Sequence, residues 1–153
     1  MATVEKTITI NAPAERLYAI WTNPQMFPRF MENIDAVNTV GANKTHWVMQ
    51  GPLGQKLEWD AITTEQVPSS IVAWKSVEGS GNLETEGRVV LRALGPNETE
   101  ATVSIGYSDP PGGKVGEIVA KVIADPDHRL ASDLERLKAL AEGRDPHDAK
   151  KDD

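Results

Sequence analysis

Apolar and polar side chains alternate from the first residues of the chain. Between Thr3 and Asn11, Val4, Ile8 and Ile10 fall on one face, and threonine and glutamate fall on the other. Because successive side chains of a strand point to opposite faces, this period of two predicts a half-buried β-strand.

The pattern then changes to helical spacing. Asn11 can cap a helix and Pro13 suits its first turn, so a short helix is predicted from here to Trp21. A second short helix is predicted over residues 24–31, where the internal Pro28 keeps it short or irregular.

Six further alternating runs follow, separated by turn sequences rich in glycine, proline and asparagine. Consecutive strands with short connections favour an antiparallel meander. The predicted strands lie near residues 34–40, 44–50, 55–66, 71–77, 83–94 and 98–107.

The C-terminal part is predicted to be a long helix. Apolar residues from Val115 to Leu140 recur at spacings of three, four and seven, which makes one apolar stripe. Asp125-Pro126 predicts a kink or a restart, and Gly143 is predicted to end the helix. We expect one domain over residues 1–142 and a charged, flexible tail over residues 143–153.

This order of elements predicts an α+β fold. A seven-stranded antiparallel sheet needs a cover on one face, and the long C-terminal helix can lie across it if the sheet curves around it. A curved sheet that holds one helix leaves a concave, mostly apolar space, which is typical of a ligand site.

Composition narrows the functions. The chain of 153 residues has 16 Lys plus Arg, 23 Asp plus Glu, a net charge of −7 and no cysteine. Disulfides, zinc-thiolate sites and thiol catalysis are excluded, and the acidic balance argues against nucleic acid. No apolar run is long enough for a membrane span, and the N-terminus lacks a signal peptide's apolar region. The lack of these two segments leads us to expect a cytoplasmic protein. We also expect no metal and no other cofactor.

Short motifs are spread along the whole chain: Phe30-Met31, His46-Trp47-Val48, Gly51-Pro-Leu-Gly54, Glu58-Trp-Asp-Ala61, Ala73-Trp-Lys-Ser76, Gly87, the run from Tyr107 to Gly113, and Asp133-Leu-Glu-Arg-Leu-Lys138. Together they resemble the polyketide cyclase/dehydrase-like branch of the START/Bet v 1-like (SRPBCC) superfamily, over about residues 3–141. The resemblance implies a helix-grip fold with an internal cavity. It leaves function open, since that superfamily includes lipid carriers, aromatase/cyclases and oxygenase domains.

The strand pattern turns large aromatic side chains toward the concave face. The strand phase near Trp59 decides which side chains face inward there, because a shift of one residue would turn Glu58 and Asp60 inward in place of Trp59. Either these residues fill a core or they line a cavity. The predicted ligand-binding residues are Trp47, Met49, Trp59, Trp74 and Tyr107 on strands, Val119, Val122 and Ile123 on the long helix, and Trp21, Phe27, Phe30 and Met31 at the entrance.

Catalytic candidates are few. Tyr107 offers a hydroxyl at the inner face, and His128 could act as a general acid or base if it points inward, although a surface position is the simpler expectation. His46 is expected on the outer face. Carboxylates that alternate with apolar residues, such as Glu58 and Asp60, are expected to be surface charges.

Three functions remain open. The first is binding, or transport, of a small hydrophobic ligand such as a lipid, a quinone or a polyketide-like aromatic. The second is a polyketide cyclase/dehydratase-type enzyme that uses the same cavity. The third is a partner-binding domain with a filled core. Whether the protein is a monomer or a dimer is left open.

Overall fold

The computed structural model describes residues 2–50, 56–81, 83–108 and 126–144. The strands are β1 (Ala2–Ile10), β2 (Ile34–Gly41), β3 (Lys44–Gln50), β4 (Lys56–Val67), β5 (Ile71–Ser76), β6 (Glu84–Gly95) and β7 (Glu98–Ser108). The helices are α1 (Ala14–Trp21), a 3₁₀ helix (Pro24–Arg29) and α2 (Pro126–Ala141).

The described strands form one antiparallel sheet. Its spatial order is β1-β7-β6-β5-β4-β3-β2, so β2 to β7 run as a meander and β1 closes onto β7. The predicted strands agree with these bounds to within one or two residues. No described helix is long and apolar enough to cross a membrane.

The predicted Asn11 cap is wrong. Pro13, with φ −64° and ψ 148°, keeps the chain extended and itself occupies the N-cap position of α1. Asn11 therefore lies too early to cap, and its backbone N–H donates instead to Glu142 Oε2 at 2.8 Å, beyond the end of α2. The expected irregularity at Pro28 is confirmed, since that segment is a 3₁₀ helix.

Helix α2 carries the expected apolar stripe. Leu130, Leu134 and Leu137 are buried at its three- and four-residue spacings. Gly143 follows the last turn of the helix, and its φ of 82° is unfavourable for a residue with a side chain. Its N–H donates to the Leu140 carbonyl and the next N–H to the carbonyl of Ala139, which is a Schellman motif. The predicted helical residues 115–125 and the tail 145–153 lie outside the described residues.

The strand phase near Trp59 is settled. Trp59 pairs with Trp47 across β3 and β4 without a register shift. Leu57, Trp59 and Ala61 are buried, so they face the core together. A bulge occurs later in β4, between Thr63 and Glu65, where it leaves the phase at Trp59 unchanged.

Candidate ligand-binding cavity

A cavity lies between the inner face of the sheet and α2, with strand and helix side chains on its wall. Its volume is about 60 Å³ for water-sized occupants. Most of the wall is apolar and includes Val4, Ile105, Leu130 and Leu134. The walls must therefore move apart for an occupant larger than a few water molecules.

The four tryptophans form one stacked column beside the cavity. Trp74 stacks on Trp21 with ring centroids 5.8 Å apart and on Trp47 with centroids 6.0 Å apart. Trp47 stacks in turn on Trp59 at 5.8 Å. Phe30 meets Trp21 edge-on at 5.2 Å. Such ring contacts stabilise a packed wall by more than the burial of apolar area alone would.

Gly87 makes room for this column. It pairs with Trp74 across β5 and β6. A Cβ atom at Gly87 would lie 2.2 Å from Trp74 Cζ2, much closer than a real contact permits. The indole of Trp74 can lie flat over the neighbouring strand only because residue 87 has no side chain.

The structure brings most of the predicted binding residues together. Phe27 is the exception among those described, because its ring is packed against Trp47, at 5.3 Å between centroids, and lines a separate cleft. The predicted positions Val119, Val122 and Ile123 lie outside the described residues. The predicted residues that line the cavity are Trp21, Phe30, Met31, Trp47, Met49, Trp59, Trp74 and Tyr107.

Two ionisable side chains on the cavity wall have raised pKa values. Burial raises the pKa of the Asp133 carboxyl to about 6, although Arg136 opposes the shift. Burial also raises the pKa of the Tyr107 hydroxyl; Asp133 adds to this increase and Arg129 opposes it. The Asp133 carboxyl therefore loses its proton at a pH closer to neutrality than an ordinary aspartate does, and the Tyr107 hydroxyl stays protonated at neutral pH.

Arg136 ties α2 to the segment that carries Phe30. Its side chain is 5% exposed. Nε donates to the Phe30 carbonyl at 3.0 Å, and Nη1 donates to Ser132 Oγ at 3.0 Å. Nη2 donates to Asp133 Oδ1, which also accepts from the Glu32 backbone N–H at 3.3 Å. This network fixes one edge of the cavity.

Three buried polar atoms on cavity-lining residues have no hydrogen-bond partner in the described part of the chain. They are Trp21 Nε1, Trp59 Nε1 and Thr85 Oγ1. Trp47 differs, since its Nε1 donates to Thr45 Oγ1 at 2.9 Å. An unpaired buried polar group costs about 1–3 kcal/mol, so these atoms are the unusual feature of the wall.

The other candidates lie elsewhere. His128 is exposed at the start of α2, the surface position expected for it, and is not among the described residues on the cavity wall. His46 lies on the outer face, where Nδ1 is 2.7 Å from Asp60 Oδ1 and Nε2 is 3.2 Å from Glu58 Oε1. These hydrogen bonds, that to Asp60 first, raise the pKa of His46. No three His, Asp or Glu of the described ranges are grouped to hold a metal ion.

Sequence reasoning missed Asp133 and Thr85 as site residues. Asp133 follows Leu130 by three positions and precedes Leu137 by four, so the helical stripe itself places it on the buried face. Thr85 shares its strand face with Val89 and Leu91, both buried. The period of two therefore carried a signal for Thr85 as well.

Comparisons with known proteins agree with this architecture. A family model described as "Polyketide cyclase / dehydrase and lipid transport" matches residues 10–134. An uncharacterized 17.2 kDa protein of Streptomyces lincolnensis is 32% identical over 145 residues, which cover 94% of this chain and 92% of the relative.

Two solved structures are similar over nearly the whole chain. A Deinococcus radiodurans protein is 29% identical with a TM-score of 0.72, covering 93% of this chain and 99% of its own. A START superfamily protein from Mycobacterium smegmatis is 17% identical with a TM-score of 0.71, covering 92% and 97%. These likenesses confirm the predicted helix-grip fold.

Proposed function

Because the chain belongs to the polyketide cyclase/dehydrase and lipid-transport family, we propose that it binds a small hydrophobic molecule in the cavity between the sheet and α2. The observation that carries this proposal is the apolar wall of that cavity, with the stacked tryptophan column along it. Candidate ligands are lipids, quinones and polyketide-like aromatics.

The composition of the wall supports such a ligand. Aromatic and aliphatic side chains supply affinity through burial, at about 25 cal/mol per Å² of apolar area before the costs of association. Met31 and Met49 are unbranched and adapt to different shapes, so they suit a wall that must move apart.

Tryptophan emission gives a direct assay. Titration with a panel of lipids, quinones and polyketide-like aromatics should change the emission in a saturable way, since the four indoles are in contact in one column. A panel without any saturable change would count against the proposal and would favour a partner-binding domain with a filled core.

A matched pair of variants locates the binding. Ile105→Phe adds a ring to the cavity wall, whereas Ile62→Phe adds one at a side chain that is 42% exposed. We expect Ile105→Phe to weaken binding at least tenfold and Ile62→Phe to leave it unchanged. Equal affinities for the two variants would place the ligand outside the cavity.

The second candidate function is a cyclase/dehydratase-type enzyme. It is favoured by the Asp133 carboxyl, with a pKa of about 6, and by the Tyr107 hydroxyl on the same cavity wall. In this role Asp133 would exchange a proton with the substrate and Tyr107 would orient a carbonyl.

The enzyme hypothesis needs a confirmed substrate for its test. Asp133→Asn and Tyr107→Phe should then each lower kcat at least a hundredfold, while His128→Ala, at an exposed position, should retain the wild-type rate. Retained turnover in Asp133→Asn would remove that carboxyl from the mechanism.

A further inference from the structure

We infer that the ligand carries an uncharged hydrogen-bond acceptor, such as a ketone or quinone carbonyl, and that this acceptor pairs with the unpartnered donors of the cavity wall, Thr85 Oγ1 above all. The inference rests on the proposed binding function and specifies which hydrophobic molecules the cavity selects.

Thr85 is unusual among the buried threonines. It is one of the residues that line the cavity, and its Oγ1 is buried without a partner among the described residues. Its backbone N–H is already satisfied by Ser76 Oγ at 2.9 Å. Thr99 is buried as well, yet its Oγ1 donates to the Ala12 carbonyl at 2.8 Å. The described part of the fold therefore pairs the hydroxyl of Thr99 and offers no partner to that of Thr85.

The unpartnered atoms belong to residues of three different elements. Thr85 is on β6, Trp59 is on β4 and Trp21 is at the end of α1, and all three line the same space. Indole N–H groups only donate, and a hydroxyl can donate. A ligand that brings acceptor oxygens can therefore satisfy groups that a pure hydrocarbon leaves unpaired.

The charges of the wall favour a neutral acceptor over a carboxylate. The described wall has one carboxyl, on Asp133, and one guanidinium, on Arg129, so positive charge is not in excess. Burial of an unpaired anion would be far more costly than burial of a carbonyl. A site built around hydrogen-bond donors rejects an analogue that lacks the acceptor.

Two bicyclic probes that differ in one carbonyl test the inference. α-Tetralone has a ketone on the ring system of tetralin, and their affinities can be compared by competition in the tryptophan emission assay. We expect wild-type protein to bind α-tetralone about tenfold more tightly than tetralin, which corresponds to one or two hydrogen bonds.

Thr85→Val removes the hydroxyl and keeps the shape of the side chain. We expect it to weaken α-tetralone binding about fivefold, to leave tetralin binding within twofold, and to melt at or above the wild-type temperature. Thr99→Val is the matched control. It loses a hydrogen bond within the protein, so it should melt lower and retain the preference for the ketone.

A second measurement does not depend on a variant. In spectra of protein labelled with ¹⁵N-tryptophan, the indole N–H proton of Trp59 or Trp21 should move downfield with α-tetralone and not with tetralin. Equal affinity of the two probes for wild-type protein, or an unchanged preference in Thr85→Val, would overturn the acceptor inference and leave hydrophobic binding standing. If neither probe nor any member of the wider panel binds, the proposed function itself fails.

Discussion

Replacement of Gly87 by alanine should disturb the tryptophan column directly. The added Cβ would lie 2.2 Å from Cζ2, 2.4 Å from Cε2 and 2.7 Å from Cη2 of Trp74, whereas ordinary contacts begin at 3.4 Å. The ring would have to retreat by more than an ångström. It cannot do so freely, since Trp21 and Trp47 stack on it at 5.8 and 6.0 Å.

The cost follows from overpacking, which typically destabilises a core by about 1–3 kcal/mol. For a chain of this size, that corresponds to a decrease in Tm of roughly 3–10 °C. Urea denaturation followed by tryptophan emission measures the change, and near-ultraviolet circular dichroism should show a weaker signal from the stacked indoles.

Gly95→Ala is the control, because a Cβ at Gly95 would have no atom of the described residues within 4 Å. The stability of this variant should differ from wild type by less than about 0.5 kcal/mol. Trp74→Phe removes the benzo-ring atoms that the new Cβ would overlap, so Gly87→Ala should cost less in that background. If Gly87→Ala unfolds at the same urea concentration as Gly95→Ala, the steric account of Gly87 is wrong.

Three further predictions concern charged side chains. The pKa of Asp133 is raised from 3.8 to about 6, so its contribution to stability is complete below pH 3.8 and is lost as the pH rises through 6. The stability of wild type relative to Asp133→Asn should therefore fall by up to about 3 kcal/mol over this range. Urea titrations that give the same difference at every pH would refute this prediction. Arg136→Met should cost about 3–5 kcal/mol because it removes the cation that pairs with the partly buried Asp133 carboxyl and takes away the donor to the Phe30 carbonyl. The exposed Arg88→Met should cost only about 0–1 kcal/mol. Thermal melts that coincide for the two variants would contradict this difference. The carboxylate partners of His46 raise its pKa in the folded state. The stability of wild type relative to His46→Gln should therefore decline as the pH rises from 6.5 through that higher pKa. A relative stability that increases over this range would contradict the prediction.

Most of the fold could be predicted from the sequence because burial imposes a period. Trp47 and Trp74 sit where strand alternation placed them, and the α2 stripe ends at the glycine that was expected to end it. The Asn11 cap failed because capping depends on the backbone angles of Pro13, which spacing does not reveal.

The candidate site could be predicted only in part. Periodicity finds which side chains face inward, and it found eight of the residues on the cavity wall. It does not show which buried polar atoms find partners, since that depends on contacts between distant segments. Thr99 and Thr85 look alike in the sequence, yet Thr99 Oγ1 has a partner and Thr85 Oγ1 has none in the described structure.

The central claim is that a hydrophobic molecule binds between the sheet and α2. Isotope-filtered NMR on the complex with α-tetralone, or with a tighter ligand from the panel, tests it most directly by intermolecular nuclear Overhauser effects. We predict contacts from the ligand to the methyl groups of Ile105 and Leu134, which line the cavity. Contacts confined to exposed apolar side chains such as Val40 and Leu94 would contradict the account.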